Sequence, residues 1–164
     1  MVERGVAESL LLAEVGGDRP QTTFEDIEVG DQLGSIDVRF TREGVEGLIS
    51  SDDEHDAWYE ALSEGGGGII PCLATYPPVR ALFGQRFHIR GYMTGYTGEF
   101  LRPIEHGAVL TISGRIIRKW IKRQRAYVQY EAEGIDGDGV VYFRTTRTHT
   151  LDYLAEPLDS EATS

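Results

Sequence analysis

Gly67-Gly68-Ile69-Ile70-Pro71-Cys72-Leu73-Ala74-Thr75-Tyr76-Pro77-Pro78-Val79-Arg80-Ala81-Leu82-Phe83-Gly84 is the stretch of this 164-residue chain whose reading decides its fold. Ile69, Leu73, Tyr76, Val79 and Leu82-Phe83 recur near helical spacing, which predicts a buried helix. Pro77-Pro78 must kink or restart it, and Gly84 is the expected stop. From Ile69 to Phe83 the stretch contains no Asp or Glu. A helix this apolar needs cover on most of its sides.

The cover follows in sequence. Four strand-like segments occupy residues 87–102, 108–122, 126–135 and 140–153. In the third, Val128, Tyr130 and Ala132 alternate with Gln129, Glu131 and Glu133, the period of a strand with one wet face. Asp136-Gly137-Asp138-Gly139 is a hairpin turn into the fourth. Upstream, Leu33 to Phe40 sets Ile36, Val38 and Phe40 on one strand face, and Thr41 is placed to cap a short helix. The expected architecture is α+β, with a strongly curved antiparallel sheet wrapped around one central helix. One domain over residues 24–154 is expected, preceded by an accessory arm at 1–23 and followed by an acidic tail at 155–164. A short helix over Val6 to Val15 is the expectation for the arm.

Composition narrows the function. At 40% hydrophobic the chain is long enough for one well-buried domain. A formal charge of −11 argues against nucleic acid as a partner. Leu10-Leu11-Leu12-Ala13 lies between Glu8 and Glu14, too short and too acidic for a membrane span, so a cytoplasmic setting is expected. The single Cys72 cannot form an internal disulfide, and its apolar neighbours predict a buried thiol. Arg115, Arg118, Lys119, Lys122, Arg123 and Arg125 crowd one segment. They read either as a protected sheet edge or as a landing site for the phosphates of a carrier or for an acidic carrier protein.

The chemistry-bearing residues precede the helix. Ser51-Asp52-Asp53-Glu54-His55-Asp56-Ala57-Trp58-Tyr59 gathers carboxylates, an imidazole and a phenol just before the glycine run Gly65 to Gly68. Groups that move protons, beside backbone amides that can hold an oxyanion, are what chemistry next to a carbonyl requires. His88, His106 and His149 show no ligand spacing, so no metal is expected, and no cofactor.

Several phrases, in order, resemble the MaoC-like hotdog-fold hydratases and dehydratases, which include the (R)-specific enoyl-CoA hydratases. These are Phe24-Glu25-Asp26-Ile27-Glu28-Val29-Gly30-Asp31, Ser51-Asp52-Asp53 with Trp58-Tyr59, Gly67-Gly68-Ile69-Ile70-Pro71, and Glu99-Phe100-Leu101-Arg102-Pro103-Ile104. The resemblance spans residues 24–152. It implies a hotdog fold, dimerisation with a second copy or another hotdog subunit, and a thioester substrate on coenzyme A or acyl carrier protein. It also implies water addition or elimination beside the thioester carbonyl, with Asp53 as acid/base and the amides of Gly68 and Ile69 as oxyanion donors.

The family's His, five residues after its Asp, has no match; Trp58 stands five beyond Asp53, and the Trp-Tyr ending found in some branches sets Tyr59 in the His place if a residue or two are inserted. Three readings stay open. His55 fills the role from a shifted position, Tyr59 fills it together with Asp53, or the loop is solvated and its aromatic residues are anchors. In paired members of the family, the copy with Tyr in this place supports the fold without performing the chemistry. A silent subunit is therefore the alternative function. Thioester hydrolysis is less favoured, because the helix lacks the acidic residue it uses.

Overall fold

The computed structural model describes residues 3–5, 19–41, 43–44 and 68–152. Its strands are β1 (Glu3–Gly5), β2 (Gln32–Arg39), β3 (Met93–Phe100), β4 (Val109–Lys122), β5 (Arg125–Ile135) and β6 (Val141–Thr150). A 3-10 turn at Cys72–Thr75 leads into the helix α1 (Tyr76–Arg86). The strands form one sheet in the order β1-β2-β4-β5-β6-β3. All neighbours pair antiparallel except β1 and β2, which pair parallel.

The alternation read in sequence sets which face is covered. Leu33, Ile36, Val38 and Phe40 are buried from β2, Leu110, Ile112 and Ile116 from β4, and Val128, Tyr130 and Ala132 from β5. These line the face that holds α1, where Val79, Ala81, Leu82 and Phe83 are wholly buried. Phe83 stacks on Tyr130 with centroids 4.6 Å apart and meets Phe87 at 5.4 Å and His149 at 5.9 Å. Burying each such side chain is worth about 1.5–3 kcal/mol. The helix is thereby the core of the fold.

The helix differs from its expected outline at both ends. It does not run unbroken from Ile69; the 3-10 turn comes first, and α1 restarts with Pro77 and Pro78 in its opening turn. Amide hydrogens there have no acceptor within the helix, so proline costs nothing in that turn. Gly84 is not the stop, because α1 continues to Arg86. Arg19 explains the extension: its Nη2 donates to the Gly84 carbonyl at 2.7 Å and its Nη1 to Gln85 at 3.4 Å, satisfying oxygens the helix end leaves open. Cys72 is also corrected. It is exposed, on the outer side of the 3-10 turn, while Ala74 and Thr75 face inward.

Other expectations hold in detail. Thr41 caps as expected, its Oγ1 accepting the Gly44 amide at 3.1 Å. Asp136 builds the β5–β6 turn by accepting the amides of Asp138 at 3.0 Å and Val140 at 2.9 Å. The first of the four expected strand segments is shorter than expected, running as β3 from Met93 to Phe100 rather than over residues 87–102. Before it, Gly91 lies so close to β6 that a Cβ would overlap the Thr150 carbonyl. The arm contributes β1, a strand the sequence did not signal; the expected helix over residues 6–15 lies outside the described residues.

Of the basic segment only Arg115 lies opposite β2; from Arg118 onward β4 pairs with β5 alone among the described residues, as the sheet-edge reading expects. Pairing with β2 ends at Arg115, so the β4–β5 hairpin projects beyond it. Lys119 ties the projection down, donating to the Phe24 carbonyl at 2.9 Å with its ammonium 4.4 Å from the Phe24 ring. At the tip, Arg123 and Gln124 both take positive φ, 51° and 61°. Two left-handed residues make a hairpin turn that matches the twist of its strands, but Asn-Gly fits it better than Arg-Gln. Replacing Arg123-Gln124 by Asn-Gly is expected to stabilise the fold by about 1 kcal/mol. A urea midpoint that is unchanged or lower would contradict this reading of the turn.

Candidate functional site

The start of the central helix is pinned by an antiparallel bridge between Ile69 and Glu105. The Ile70 amide donates to Ile104 at 2.6 Å, and the His106 amide to Gly68 at 3.3 Å. In such a bridge the amides of successive residues point to opposite sides, so the Ile69 N–H is directed away from the partner segment. Gly68 takes φ +84° to make this corner, a conformation that favours glycine. Local sequence explains the geometry: a glycine corner, two β-branched residues that bridge, then Pro71, which cannot donate and ends the extended run.

Ile69 and Ile70 form one wall of a cleft of about 250 Å³. Phe100, Leu101, Pro103 and Ile104, which follow and end β3, form the other, with Arg102 at the mouth. The cleft is largely apolar, the character of a site for an acyl chain. A larger hollow, about 470 Å³, lies on the outer face of the sheet among Arg115, Glu131, Glu133 and Arg144. Ion pairs Arg115–Glu131 at 2.7 Å and Arg144–Glu133 at 3.5 Å cross it. It is a charged saddle whose lining shares no residue with the smaller cleft.

Of the site residues read in sequence, Gly68 and Ile69 meet at this corner. Asp53, His55 and Tyr59 lie outside the described residues. Among the described residues no three His, Cys, Asp or Glu side chains cluster as a metal site, and no helix is long and apolar enough to cross a membrane.

A second group lies beneath α1 on the same face of the sheet. Arg147 of β6 is fully buried and pairs in register with Tyr130 of β5 and Tyr96 of β3. Its Nη1 donates to the Tyr76 carbonyl at 2.9 Å. Burial lowers its pKa, opposed by the phenols of Tyr130, Tyr76 and Tyr96 around it. Burial raises that of Tyr130, opposed by the charges of Arg147 and Arg80.

His149, two residues on, is held at a pKa of about 3, first by burial and then by the positive charges of Arg80 and Arg147. It is therefore neutral near pH 7, with Nε2 3.4 Å from the Tyr130 hydroxyl. The expectation of a hydrogen-bonded sheet residue holds, but its companion Arg147 was not singled out. A signal existed: Phe143 faces inward, and every second residue after it, Thr145, Arg147 and His149, shares its face.

Comparison with known proteins was made on sequence and on structure. No family model matches the sequence, and no curated protein matches it. Solved structures do match. The unliganded R-hydratase PhaJ1 from Pseudomonas aeruginosa superposes with a TM-score of 0.64 at 15% identity, over 78% of this chain and 84% of that one. The chain has the hotdog fold. A MaoC-like dehydratase from Rhodospirillum rubrum shares this hotdog at a TM-score of 0.61 and 18% identity, over 79% of this chain and 96% of its own. The ChsH1-ChsH2 complex from Mycobacterium tuberculosis shares it at 0.59 and 12%, over 76% and 98%. The hotdog sheet here is open, and among the described residues β1 and β3 are its edges.

His149 yields a stability test. A histidine titrating near 6.5 when unfolded and about 3 when folded gives stability that is complete above 6.5 and is lost as pH falls toward 3. Between pH 7 and pH 5 the expected loss from this group is about 2 kcal/mol. His149→Phe keeps a ring against Phe83 and removes the titration, so its urea midpoint is expected to fall less over that interval. Equal slopes for both proteins would contradict the assignment.

Proposed function

We propose that this hotdog domain is a hydratase or dehydratase of acyl thioesters. The observation that supports the reading best is the Ile69 N–H, which the bridge does not use; it stands at a corner that precedes the 3-10 turn and α1, and Ile69 also lines an apolar cleft. A thioester carbonyl placed there would have its oxygen polarised as the β-carbon accepts water. In hydration, water loses a proton to the base as its oxygen bonds to the β-carbon. The electron pair moves to the carbonyl oxygen as an enolate, and a proton returned to the α-carbon completes the product. Dehydration is the reverse.

Asp53 is the base in this proposal, with His55 or Tyr59 completing the proton transfer and Gly68 joining Ile69 at the oxyanion. Hydrolysis of the thioester is disfavoured because no carboxylate lies on the helix between Ile69 and Arg86. The solved proteins of this fold include hydratases and dehydratases, which favours the same class here. Coenzyme A or an acyl carrier protein is the proposed carrier, and the projecting hairpin with Arg118, Lys122, Arg123 and Arg125 is the proposed surface for its negative charge.

Association through β3 is part of the proposal. Tyr92, Tyr96, Phe100 and Leu101 are exposed along this unpaired edge, an arrangement that favours a second hotdog subunit against it. One observation favours a second reading, that of a silent subunit beside an active partner: Trp58 stands where the resemblance calls for a proton-transfer histidine. The ChsH1-ChsH2 structure, similar in fold, is a complex of two named chains.

Enoyl thioesters carried on coenzyme A test both readings through loss of conjugated absorbance. The purified chain is expected to hydrate them, and Asp53→Asn to lower kcat/KM at least about a hundredfold. His55→Ala and Tyr59→Phe identify the partner by which of them produces a comparable loss. Undiminished activity in Asp53→Asn would overturn the mechanism, and inactivity of the chain except when mixed with a second hotdog subunit would establish the alternative.

A further inference from the structure

Arg147 is fully buried, yet only part of its guanidinium is satisfied. Nη1 is bonded to Tyr76, and the group lies over the Tyr76 ring at 4.5 Å and the Tyr96 ring at 5.7 Å. Nε and Nη2 complete no hydrogen bond of good geometry among the described residues, although the Tyr130 hydroxyl lies near enough to interact with the guanidinium. Those two N–H groups share one edge of the guanidinium, the edge that takes both oxygens of a carboxylate in parallel. Arg80, one turn beyond Tyr76 on α1, adds a buried Nη1 that likewise has no partner among them. Tyr130 and His149 each feel both positive charges, so the two cations belong to one small region.

Four described carboxylates of the neighbouring strands and turns are engaged elsewhere. Asp31 pairs with Arg86, Asp37 with Thr111, Glu131 with Arg115 and Glu133 with Arg144. A desolvated cation with open donors is costly, and folded proteins pair such groups with an anion. The geometry of the open edge selects a planar carboxylate over a rounder anion.

The place of this edge says where that carboxylate would come from. Arg147 shares its face of β6 with Phe143, two inward positions away, and Phe143 lies 6.1 Å from Phe100 in the cleft wall. Tyr96, beside Arg147 on the edge strand, is half-exposed, while Arg147 and Phe143 are covered, so a ligand reaches the guanidinium only by displacing what covers that face. A chain whose carbonyl sits at Ile69 and whose body follows that face runs toward Arg147. We propose that Arg147 and Arg80 bind a carboxylate at the far end of the acyl chain, making thioesters of dicarboxylic acids the preferred substrates. The carboxylate site stands on the guanidinium geometry; its assignment to an acyl thioester rests on the function proposed above.

The test is titration calorimetry of the full chain with two matched pairs, succinyl-CoA against butyryl-CoA and glutaryl-CoA against valeryl-CoA. At least one carboxylate ligand is expected to bind about tenfold or more tightly than its methyl counterpart. Arg80→Met, at a half-buried position the fold tolerates, is expected to shrink that ratio several-fold, the loss falling on the carboxylate ligand. Neutral ligands binding as tightly as both acids would overturn the proposal, the result expected if a carboxylate of this chain already fills the guanidinium edge. Hydration of crotonyl-CoA without carboxylate preference removes this inference and leaves the proposed function. Carboxylate preference without hydration of any enoyl thioester does the reverse.

Discussion

Phe83 stacked on Tyr130 is the contact on which the rest of this structure depends. It fixes the central helix to the middle of the sheet at the strand whose neighbours, β4 and β6, curve around it. Because the helix is held at that point, its start must emerge beside β3 and the Ile104–His106 segment, where the bridge at Ile69 pins it. The cleft is the space left between the pinned helix start and the end of the free-edge strand. Packing in the core thus determines where the Gly68–Ile69 corner sits.

The same packing creates the electrostatics. Stacking Phe83 between Tyr130 and His149 excludes water from the face of β6 on which Arg147 stands. Excluding water keeps His149 neutral and raises the cost of leaving the Arg147 donors open.

The sequence showed most of the architecture because period-two alternation survives in long, half-buried strands. The bounds expected for β4, β5 and β6 lie within a few residues of those observed. It failed where distant residues override local signals. Gly84 reads as a helix stop, but Arg19, 65 residues earlier, supplies the bond that lets the helix continue. Cys72 has apolar neighbours, but the tight 3-10 turn rotates it outward. Of the site, the Gly68–Ile69 corner was legible because glycine and the helix start mark it. Arg147 was hidden by the polar run Arg144 to Thr150, in which only the phase set by Phe143 separates inward from outward residues.

The central claim is that the amide at the start of the helix receives a thioester carbonyl and the cleft receives its acyl chain. It is tested most directly by a crystal structure of the protein with an unreactive acyl-CoA thioester. The account predicts the carbonyl oxygen within hydrogen-bonding distance, about 3 Å, of the Ile69 nitrogen, and the acyl chain against Phe100 and Ile104. A ligand seated instead in the charged hollow over Arg115 and Glu131, or one whose carbonyl lies away from Ile69, would contradict it.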